Sequence, residues 1–373
     1  MPYAQTELLP ADATVIELLR PLFALIEHEQ GVTEICVNRP CEAFVETGAE
    51  WKRFNVPGLS FEWALSLATA VATFTEQDIG AQKPILSAML PGGERLQIVL
   101  PPAVEQGTVS LSVRIPSASI KPLKQYTSEG AFSRFVWAKS ALFDARKTDL
   151  DRTDLDLCEH LAENRLEQFI ELAVKSRKNI AVVGDTGSGK TTLMKSACQA
   201  IPAAERLITI EDVRELFLPM HPNRVHLLYS AGGQGVAKVT PADLIASNMR
   251  MKPDRVLLAE LRGSEAFDFL KLLTTGHSGS ITSFHAESCA LAYERYVFMC
   301  KEHPDASVYD SAALKRLVSL TVDIIMHVVA RNVYDDDGNP THKDRYVAEV
   351  HFDPVGKLIA QFGAAQIHAG ANA

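Results

Sequence analysis

The stretch NIAVVGDTGSGKTTLMKSACQA, residues 179–200, decides the fold of this chain. A short apolar run comes first, a glycine-rich turn follows it, and a segment with helical spacing completes the stretch. This order predicts a buried strand that leads through a phosphate-binding loop into a helix. The pattern G-x-x-x-x-G-K-[ST] is met in full by Gly184, Gly189, Lys190 and Thr191. We therefore predict a nucleotide site here rather than a chance glycine turn.

The residue types in this loop follow from phosphate chemistry. Gly184, Gly187 and Gly189 let the backbone turn so that its N–H groups face inward around an anion. Lys190 would place a positive charge on the β- and γ-phosphates, and the hydroxyl of Thr191 is a ligand for Mg²⁺. The helix that follows turns its N-terminal dipole toward the same anion. A nucleotide bound with Mg²⁺ is the ligand that these residues predict.

Strand and helix patterns alternate on both sides of the loop. A helical pattern precedes it, and the apolar strand patterns RLITI, RVLLAE and GSITSF follow it, separated by segments of helical spacing. Short apolar strands that alternate with helices indicate βαβ units and a mostly parallel sheet. Residues 156–373 are therefore predicted to form an α/β P-loop domain.

The first part of the chain has a different pattern. At 373 residues the chain exceeds what one core usually supports, so two domains are expected. Residues 1–115 combine helical segments with short strands and a hairpin that turns at Pro91-Gly92-Gly93, which predicts a smaller α/β domain. Residues 116–155 begin with a mixture of Pro, Ser, Lys and Gly and continue without clear periodicity. We predict a linker there.

Composition excludes several classes of protein. A net charge of −9 gives no sign of a dedicated nucleic-acid binder. The six cysteines form no C-x-x-C pair, so neither a zinc site nor a disulfide framework is expected, and a reducing compartment is the simplest interpretation. We find no basic-then-apolar signal at the start and no run of 18 apolar residues. The chain is predicted to be cytoplasmic, or at most peripheral to a membrane.

Acidic side chains come after two of the predicted strands. Glu211 and Asp212 come after RLITI, and Glu260 comes at the end of RVLLAE. The carboxyl ends of parallel strands are where an open α/β sheet places its ligand chemistry, so these acids are candidates to hold Mg²⁺ or to activate water. The strand end often carries an aspartate before the glutamate, and here that position is Ala259. Metal binding then falls to Thr191 and Glu260, and the sequence leaves open which glutamate is the base.

Histidines and arginines near these strands are further candidates. His277 and His285 lie on either side of GSITSF, and a histidine at the carboxyl end of that strand would face the γ-phosphate. Metal binding by the two histidines is not expected, because no nearby cysteine or acid completes a site. Arg250 and Arg255 lie close to the strand RVLLAE, and each could contact phosphate or form a surface salt bridge.

Four motifs in this order resemble one protein family. GDTGSGKTT, ITIEDVREL, RMKPDRVLLAELRGSEAFDFL and TGHSGSITSFHA are similar to the Walker A motif, Asp box, Walker B motif and His box of the secretion traffic ATPases. That superfamily serves type II secretion, type IV pili and type IV secretion. More loosely, TEICVNRP, LPGGERLQIVLPP and TVSLSVRIP resemble the N-terminal half of the type IV secretion branch.

The resemblance implies a homohexameric ring at the cytoplasmic face of a bacterial inner membrane, where it is peripherally associated. Each subunit would join a PAS-like α+β N-terminal domain to a RecA-like motor domain. Other inner-membrane components of the secretion system would be partners, and secreted proteins or nucleoproteins would be substrates. Its activity would be Mg²⁺-dependent hydrolysis of ATP to ADP and phosphate.

Motif position carries family roles onto residues of this chain. Glu211 and Glu260 would be the metal and water acids, Lys190 would contact phosphate and His285 would be the His-box contact. In such enzymes, arginines of the N-terminal domain close over the nucleotide, and Arg95 and Arg114 lie in the matching strands. The nucleotide would be contacted by Gly184, Asp185, Thr186, Gly187, Ser188, Gly189, Lys190, Thr191 and Thr192.

Alternatives remain at this point. The absence of C-x-x-C disfavours the type II secretion and pilus-assembly branch, which usually carries a tetracysteine zinc module. The pilus-retraction branch lacks that module too and stays open. A RecA-like nucleic-acid translocase would suit the P-loop but not the acidic balance. A scaffold that binds nucleotide without turnover is the third alternative.

Overall fold

The computed structural model describes most of the chain, namely residues 10–29, 31–47, 50–115, 120–229, 239–338 and 340–362. Outside the described residues lie the start of the predicted linker, residues 116–119, the first nine residues of the predicted N-terminal domain and residues 363–373 of the predicted P-loop domain. The chain forms two compact units. The smaller unit comprises described residues of Met1–Ala118, Tyr229–Val239 and Asn332–Lys343, and the larger those of Ser119–Leu228, Thr240–Arg331 and Asp344–Ala373.

The smaller unit contains a six-stranded sheet and two helices. Its elements are α1 (Pro10–His28), β1 (Val32–Val37), β2 (Glu42–Thr47), β3 (Glu50–Asn55), α2 (Phe61–Phe74), β4 (Ile85–Met89), β5 (Arg95–Val99) and β6 (Ser110–Arg114). The strand order is β3-β2-β1-β6-β5-β4, and neighbouring strands pair antiparallel. Along β5 and β6, buried and more exposed residues alternate, as expected for a sheet with one face on a core.

Apolar side chains from both helices and the sheet form the core of this unit. Leu19 of α1, Val71 of α2 and Ile98 of β5 are each fully buried in it. Ser60 begins α2 by accepting a hydrogen bond from Trp63 N at 3.1 Å, which satisfies an N–H that the helix itself cannot pair. An antiparallel sheet with helices packed against it is the α+β arrangement predicted for this part of the chain.

The larger unit is built around an eight-stranded sheet with the order β10-β9-β11-β12-β8-β13-β14-β7. Its elements are α3 (Leu123–Ser128), β7 (Val136–Ala138), α4 (Phe143–Arg146), α5 (Arg152–Ala162), α6 (Leu166–Lys175), β8 (Ile180–Gly184), α7 (Lys190–Cys198), β9 (Leu207–Glu211), β10 (Arg224–Leu228), α8 (Pro241–Asn248), β11 (Arg255–Leu258), α9 (Glu265–Thr274), β12 (Ile281–Phe284), α10 (Cys289–Lys301), α11 (Ser311–Thr321), β13 (Ile324–Tyr334), β14 (Pro340–Phe352) and α12 (Pro354–Phe362). Short 3-10 helices, Lys147–Asp149 and Pro304–Val308, complete it.

Parallel pairing runs through the centre of this sheet. From β10 across β9, β11, β12 and β8 to β13, each strand pairs parallel with its neighbour. Every residue of β8, β9, β11 and β12 is buried, because helices cover both faces. The predicted α/β fold with a mostly parallel sheet is therefore confirmed. Parallel pairing also brings the carboxyl ends of β8, β9, β11 and β12 to one edge, where the site lies.

Residues 120–155, assigned to a linker by the sequence, contain α3, β7 and α4. Leu123, Phe132 and Phe143 in this stretch are buried in the apolar core of the larger unit. The domain boundaries at residues 115 and 156 stay a prediction. Within the described ranges, no helix combines the length and apolar character needed to cross a membrane.

Candidate active site

The glycine-rich loop between β8 and α7 has a backbone shape that only glycine allows at three positions. Gly184 has a φ of +154°, and a Cβ added there would lie 2.2 Å from the carbonyl oxygen of Val328 and 2.7 Å from Ser188 Oγ. Gly187 and Gly189 have φ values of +71° and +100°, in the left-handed region that other residues rarely adopt. The three glycines of the motif therefore lie at the positions where the backbone of the loop has a positive φ.

Lys190 is the first residue of α7, and its side chain folds back over the loop. It is 7% exposed, and Nζ donates to the carbonyl oxygens of Gly184 at 3.0 Å and Asp185 at 2.9 Å. Nζ also lies 3.5 Å from Nδ1 of His285. The ammonium group is therefore held at the mouth of the loop by oxygen atoms that a phosphate could replace.

The remaining loop residues are held by bonds within the loop and by the first turn of α7. The N–H groups of Thr186 and Ser188 donate to Asp185, the first to its carboxylate at 2.7 Å and the second to its carbonyl oxygen at 3.2 Å. Ser188 is buried, whereas Thr191 and Thr192 are half-buried in the first turn of α7. Thr191 is thus placed beside the loop on the helix end that faces an anion.

Glu260 follows β11, and its backbone neighbours are fixed on both sides. The N–H of Ala259 donates to the carbonyl oxygen of Ile210 at 3.0 Å, so the pairing with β9 continues past the end of β11. Leu261 N donates to the carbonyl oxygen of Ser283 at 2.8 Å, on the β12 side. Because Ala259 is hydrogen-bonded to β9 and Leu261 to β12, the Cα of Glu260 has a defined position between these two strands.

The carboxylate of Glu260 links the motifs together. Its Oε1 lies 3.2 Å from Nε2 of His285, and its Oε2 accepts from Arg262 Nε at 2.8 Å and Nη2 at 2.7 Å. Arg262 Nη1 in turn donates to Asp212 Oδ2 at 3.1 Å. We call Lys190, His285, Glu260, Arg262 and Asp212 the strand-end network. It joins side chains that follow β8, β12, β11 and β9.

His285 lies between Lys190 and Glu260 in this network. Nδ1 faces the Lys190 ammonium, which can only donate, so the ring proton is assigned to Nε2, the nitrogen that lies 3.2 Å from Glu260 Oε1. His277 lies at the other end of β12, where its Nδ1 is 3.2 Å from Thr275 Oγ1. Of the two histidines predicted to flank this strand, the structure brings only His285 to Lys190 and Glu260.

Glu211, the last residue of β9, has a different environment. Its side chain is fully buried. Oε1 accepts from Thr209 Oγ1 at 2.5 Å and from His226 Nδ1 at 3.1 Å. Oε2 accepts from the backbone N–H groups of Glu215 at 2.7 Å and Leu216 at 2.8 Å. Four donors occupy the lone-pair sites of this carboxylate, and all four belong to β9, β10 and the loop that follows β9.

Arg255 forms a salt bridge inside the protein. It is fully buried, and Nε and Nη2 bind the two carboxylate oxygens of Glu205 at 2.7 Å and 2.9 Å. Nη1 donates to the carbonyl oxygen of Val174 at 2.7 Å. Arg255 begins β11, at the end away from Glu260; it forms a salt bridge, but a buried one and not the surface salt bridge that the sequence suggested. Arg250 is exposed in the turn after α8.

Arg95 and Arg114 lie opposite each other in the sheet of the smaller unit. They are register partners on β5 and β6, and Arg114 is also the register partner of Glu34 on β1. Two like charges placed opposite each other in an antiparallel pair repel, so an anion between them would be stabilising. Their contact with nucleotide stays a prediction.

Arg345 contacts the phosphate loop, although it lies in none of the four motifs. It lies on β14, and its Nε donates to the carbonyl oxygen of Gly187 at 3.0 Å across 158 residues of chain. A Cβ added at Gly189 would lie 3.4 Å from Arg345 Cδ, so the side chain also passes close to that glycine. Only the fold joins β14 to the loop, and no spacing in the sequence could have revealed it.

The residues present fit a nucleotide with its magnesium ion. Gly187 and Gly189 give the loop the left-handed backbone turns with which main-chain N–H groups can cradle an anion. Lys190 supplies a cation, Thr191 lies in the first turn of α7, and Glu260 supplies a carboxylate that is only partly buried. These are the groups that phosphoryl-transfer sites use for phosphate, metal and water.

Comparison with known proteins identifies relatives over nearly the whole chain. The chain is 45% identical over 338 residues to the type IV secretion system protein VirB11 of Brucella suis, covering 90% of this chain and 89% of that protein. It is 42% identical over 303 residues to the type IV secretion system protein PtlH of Bordetella pertussis, covering 81% of this chain and 86% of PtlH.

Solved structures agree with these relatives. The crystal structure of the VirB11 ATPase from the Brucella suis type IV secretion system, in complex with sulphate, matches with a TM-score of 0.51 and 42% identity, covering 94% of this chain and 98% of that chain. The pilus retraction motor PilT with bound ADP matches with a TM-score of 0.54 and 17% identity, covering 92% and 85% of the two chains, and shares the fold. A family model described as "Type II/IV secretion system protein" matches residues 19–332. This chain therefore belongs to the type II/IV secretion protein family, as its four motifs predicted.

Proposed function

We propose that this chain is an ATP-hydrolysing motor that powers type IV secretion. The observation that carries the proposal is the strand-end network, in which His285 lies between the phosphate-loop lysine, Lys190, and the acid Glu260. A cation for phosphate and a carboxylate for water are thus held on either side of one imidazole ring. Phosphoryl-transfer sites use a lysine for the phosphates and a separate residue that orients or activates the nucleophile.

Binding would begin with an exchange of partners at Lys190. Phosphate oxygens would take the place of the Gly184 and Asp185 carbonyl oxygens, which now accept from Nζ at 3.0 Å and 2.9 Å. A charge-assisted bond to phosphate is stronger than a bond to a neutral carbonyl, so the exchange favours binding. His285 would then lose its contact with Lys190 and could turn Nε2–H toward the γ-phosphate.

Glu260 is the residue that we assign to the attacking water. Its carboxylate is 24% exposed, and each of its oxygens is bound by a side chain that can move, His285 or Arg262. Thr191 and Glu260 would hold Mg²⁺, which when bound neutralises charge on the phosphates. Glu211 was predicted as a second acid; its four internal hydrogen bonds support a role in shaping the loop after β9 instead.

The proposal extends to a larger assembly, which family membership supports. A homohexameric ring, peripheral at the cytoplasmic face of a bacterial inner membrane, would act with other secretion-system components on secreted proteins or nucleoproteins. Arg95 and Arg114 would close over the nucleotide and add positive charge in the closed state. The relatives at 45% and 42% identity are named for type IV secretion, whereas PilT shares 17%, so secretion is preferred to pilus retraction.

The test is phosphate release by the purified full chain with ATP and Mg²⁺. Lys190→Ala should abolish both nucleotide binding and hydrolysis. Sizing with and without ATP tests the ring. Wild-type protein that binds ATP but releases no phosphate under any of these conditions would leave the scaffold alternative and overturn the motor. Hydrolysis that is stimulated by DNA and accompanied by unwinding of a labelled duplex would favour the translocase instead.

A further inference from the structure

Arg345 holds the phosphate loop from its outer side. Its Nε donates to the carbonyl oxygen of Gly187 at 3.0 Å, and its Cδ lies close to Gly189. In a trans peptide the C=O and the following N–H point in opposite directions. With the Gly187 carbonyl turned outward to Arg345, the N–H of Ser188 is turned to the inner side of the loop, where it now donates to the Asp185 carbonyl oxygen at 3.2 Å.

The backbone that carries Arg345 is firmly anchored. Asp344 binds both terminal nitrogens of Arg134, at 2.8 Å and 2.9 Å. Tyr346 is buried, and Arg134 lies over its ring at 4.0 Å from the centroid. Val347 N donates to the carbonyl oxygen of Ala131 at 3.0 Å. Each neighbour of Arg345 is therefore fixed, and the guanidinium group approaches the loop from a rigid strand.

A glycine-rich loop has particular need of such a support. Glycine loses more conformational freedom on ordering than any other residue, and this loop has left-handed backbone at Gly187 and Gly189. A contact that fixes the Gly187 peptide before the ligand arrives reduces the entropy that binding must overcome.

We propose that Arg345 is a positioning residue for nucleotide phosphate: it fixes the Gly187–Ser188 peptide so that the Ser188 N–H is available on the inner side of the loop. The proposal rests on nucleotide binding at this loop, as in the proposed function. Arg345 acts through the loop in both the ground state and the transition state. Its loss should therefore weaken binding and leave the chemical step almost unchanged.

The experiment measures ADP affinity and steady-state hydrolysis for Arg345→Met and Arg345→Lys. We expect the Kd for ADP and the KM for ATP to rise roughly tenfold in Arg345→Met, with kcat within about threefold of wild type. Arg345→Lys, which keeps the charge and one donor, should recover most of the affinity. Arg331→Met is the matched control. Arg331 is also an exposed arginine, and its guanidinium lies 5.6 Å from the ring centroid of Tyr346, the residue next to Arg345.

Thermal unfolding without nucleotide separates a loop effect from loss of fold, and Arg345→Met should unfold within a few degrees of wild type. An ADP affinity of Arg345→Met within twofold of wild type would overturn the proposal. So would an equal loss in Arg331→Met, or a fall in kcat without a change in affinity. If wild-type protein binds ADP in an Arg345-dependent way but hydrolyses no ATP, the proposed function fails while this inference stands.

Discussion

The ends of β9 and β11 offer two acids with the same sequence pattern and opposite surroundings. Both strands are short, apolar and buried, both pair parallel with each other, and each leads into a glutamate. Glu211 is fully buried and accepts four hydrogen bonds from its own part of the sheet. Glu260 is partly exposed and reaches the histidine that contacts Lys190. The carboxylate of Glu211 thus binds the loop that follows its own strand, whereas that of Glu260 lies beside His285 in the strand-end network.

The path of the chain after each strand causes the difference. After β9 the chain turns so that the N–H groups of Glu215 and Leu216 point back at Glu211. After β11, Leu261 is drawn to β12 instead, which leaves the side chain of Glu260 to meet His285. An acid at a strand end is therefore available for chemistry only when the next loop does not use its oxygens.

The largest effect is expected for Glu260→Gln. Loss of the carboxylate should lower kcat for ATP hydrolysis by at least about 100-fold, because an amide cannot take a proton from water. ADP affinity should stay close to that of wild type, and so should the thermal unfolding temperature, since Glu260 is only partly buried. Phosphate release and calorimetric ADP titration measure the two quantities.

Glu287→Gln is the control for Glu260→Gln. Glu287 is an exposed acid two residues after His285 and lies outside the strand-end network. We expect its hydrolysis rate to match wild type. A Glu260→Gln variant that hydrolyses ATP at the wild-type rate would remove Glu260 from the chemistry and reverse the comparison of the two acids.

Glu211→Gln should act on stability first. The amide nitrogen that replaces one oxygen would face N–H or O–H donors with a donor of its own, which costs about 1–3 kcal/mol for a buried group. Thermal unfolding without nucleotide should reveal this loss, while kcat per folded molecule should fall by less than about tenfold. A 100-fold fall in kcat with unchanged stability would instead identify Glu211 as the base.

How far the sequence reaches can be judged from individual residues. The loop glycines, Lys190 and the acids at strand ends are local patterns, so they could be predicted together with the parallel sheet. Three of the four donors to Glu211 lie in the loop after β9 or on β10, and no pattern in the sequence indicates that they reach this carboxylate. Arg345 reaches the loop from 158 residues away, and the partner of Arg255 is an acid 50 residues earlier. Such pairings depend on tertiary packing, which a single sequence does not display.

His226→Leu should have a smaller effect on the same acid. Nδ1 of His226 is one of four donors to Glu211, at 3.1 Å, and the side chain is mostly buried. Losing that donor while three remain should lower the free energy of unfolding by about 0.5–1.5 kcal/mol, less than Glu211→Gln. Chemical denaturation of the two variants side by side checks the order. A loss that exceeds that of Glu211→Gln would mean that His226 supports the fold by other contacts.

The smallest effect is expected at the exposed end of the strand-end network, where Arg262 binds Asp212. The Arg262 side chain is 43% exposed and that of Asp212 is 13% exposed, and an ion pair that solvent screens from the arginine side contributes only about 0–1 kcal/mol. Glu260 keeps its position without Arg262, since Ala259 and Leu261 are pinned by backbone hydrogen bonds. Arg262→Met, Asp212→Asn and the double variant should therefore show a coupling energy below about 1 kcal/mol in unfolding. Their hydrolysis rates should stay within about threefold of wild type. A much larger rate loss in Arg262→Met alone would show that the guanidinium, and not the backbone, orients the carboxylate of Glu260.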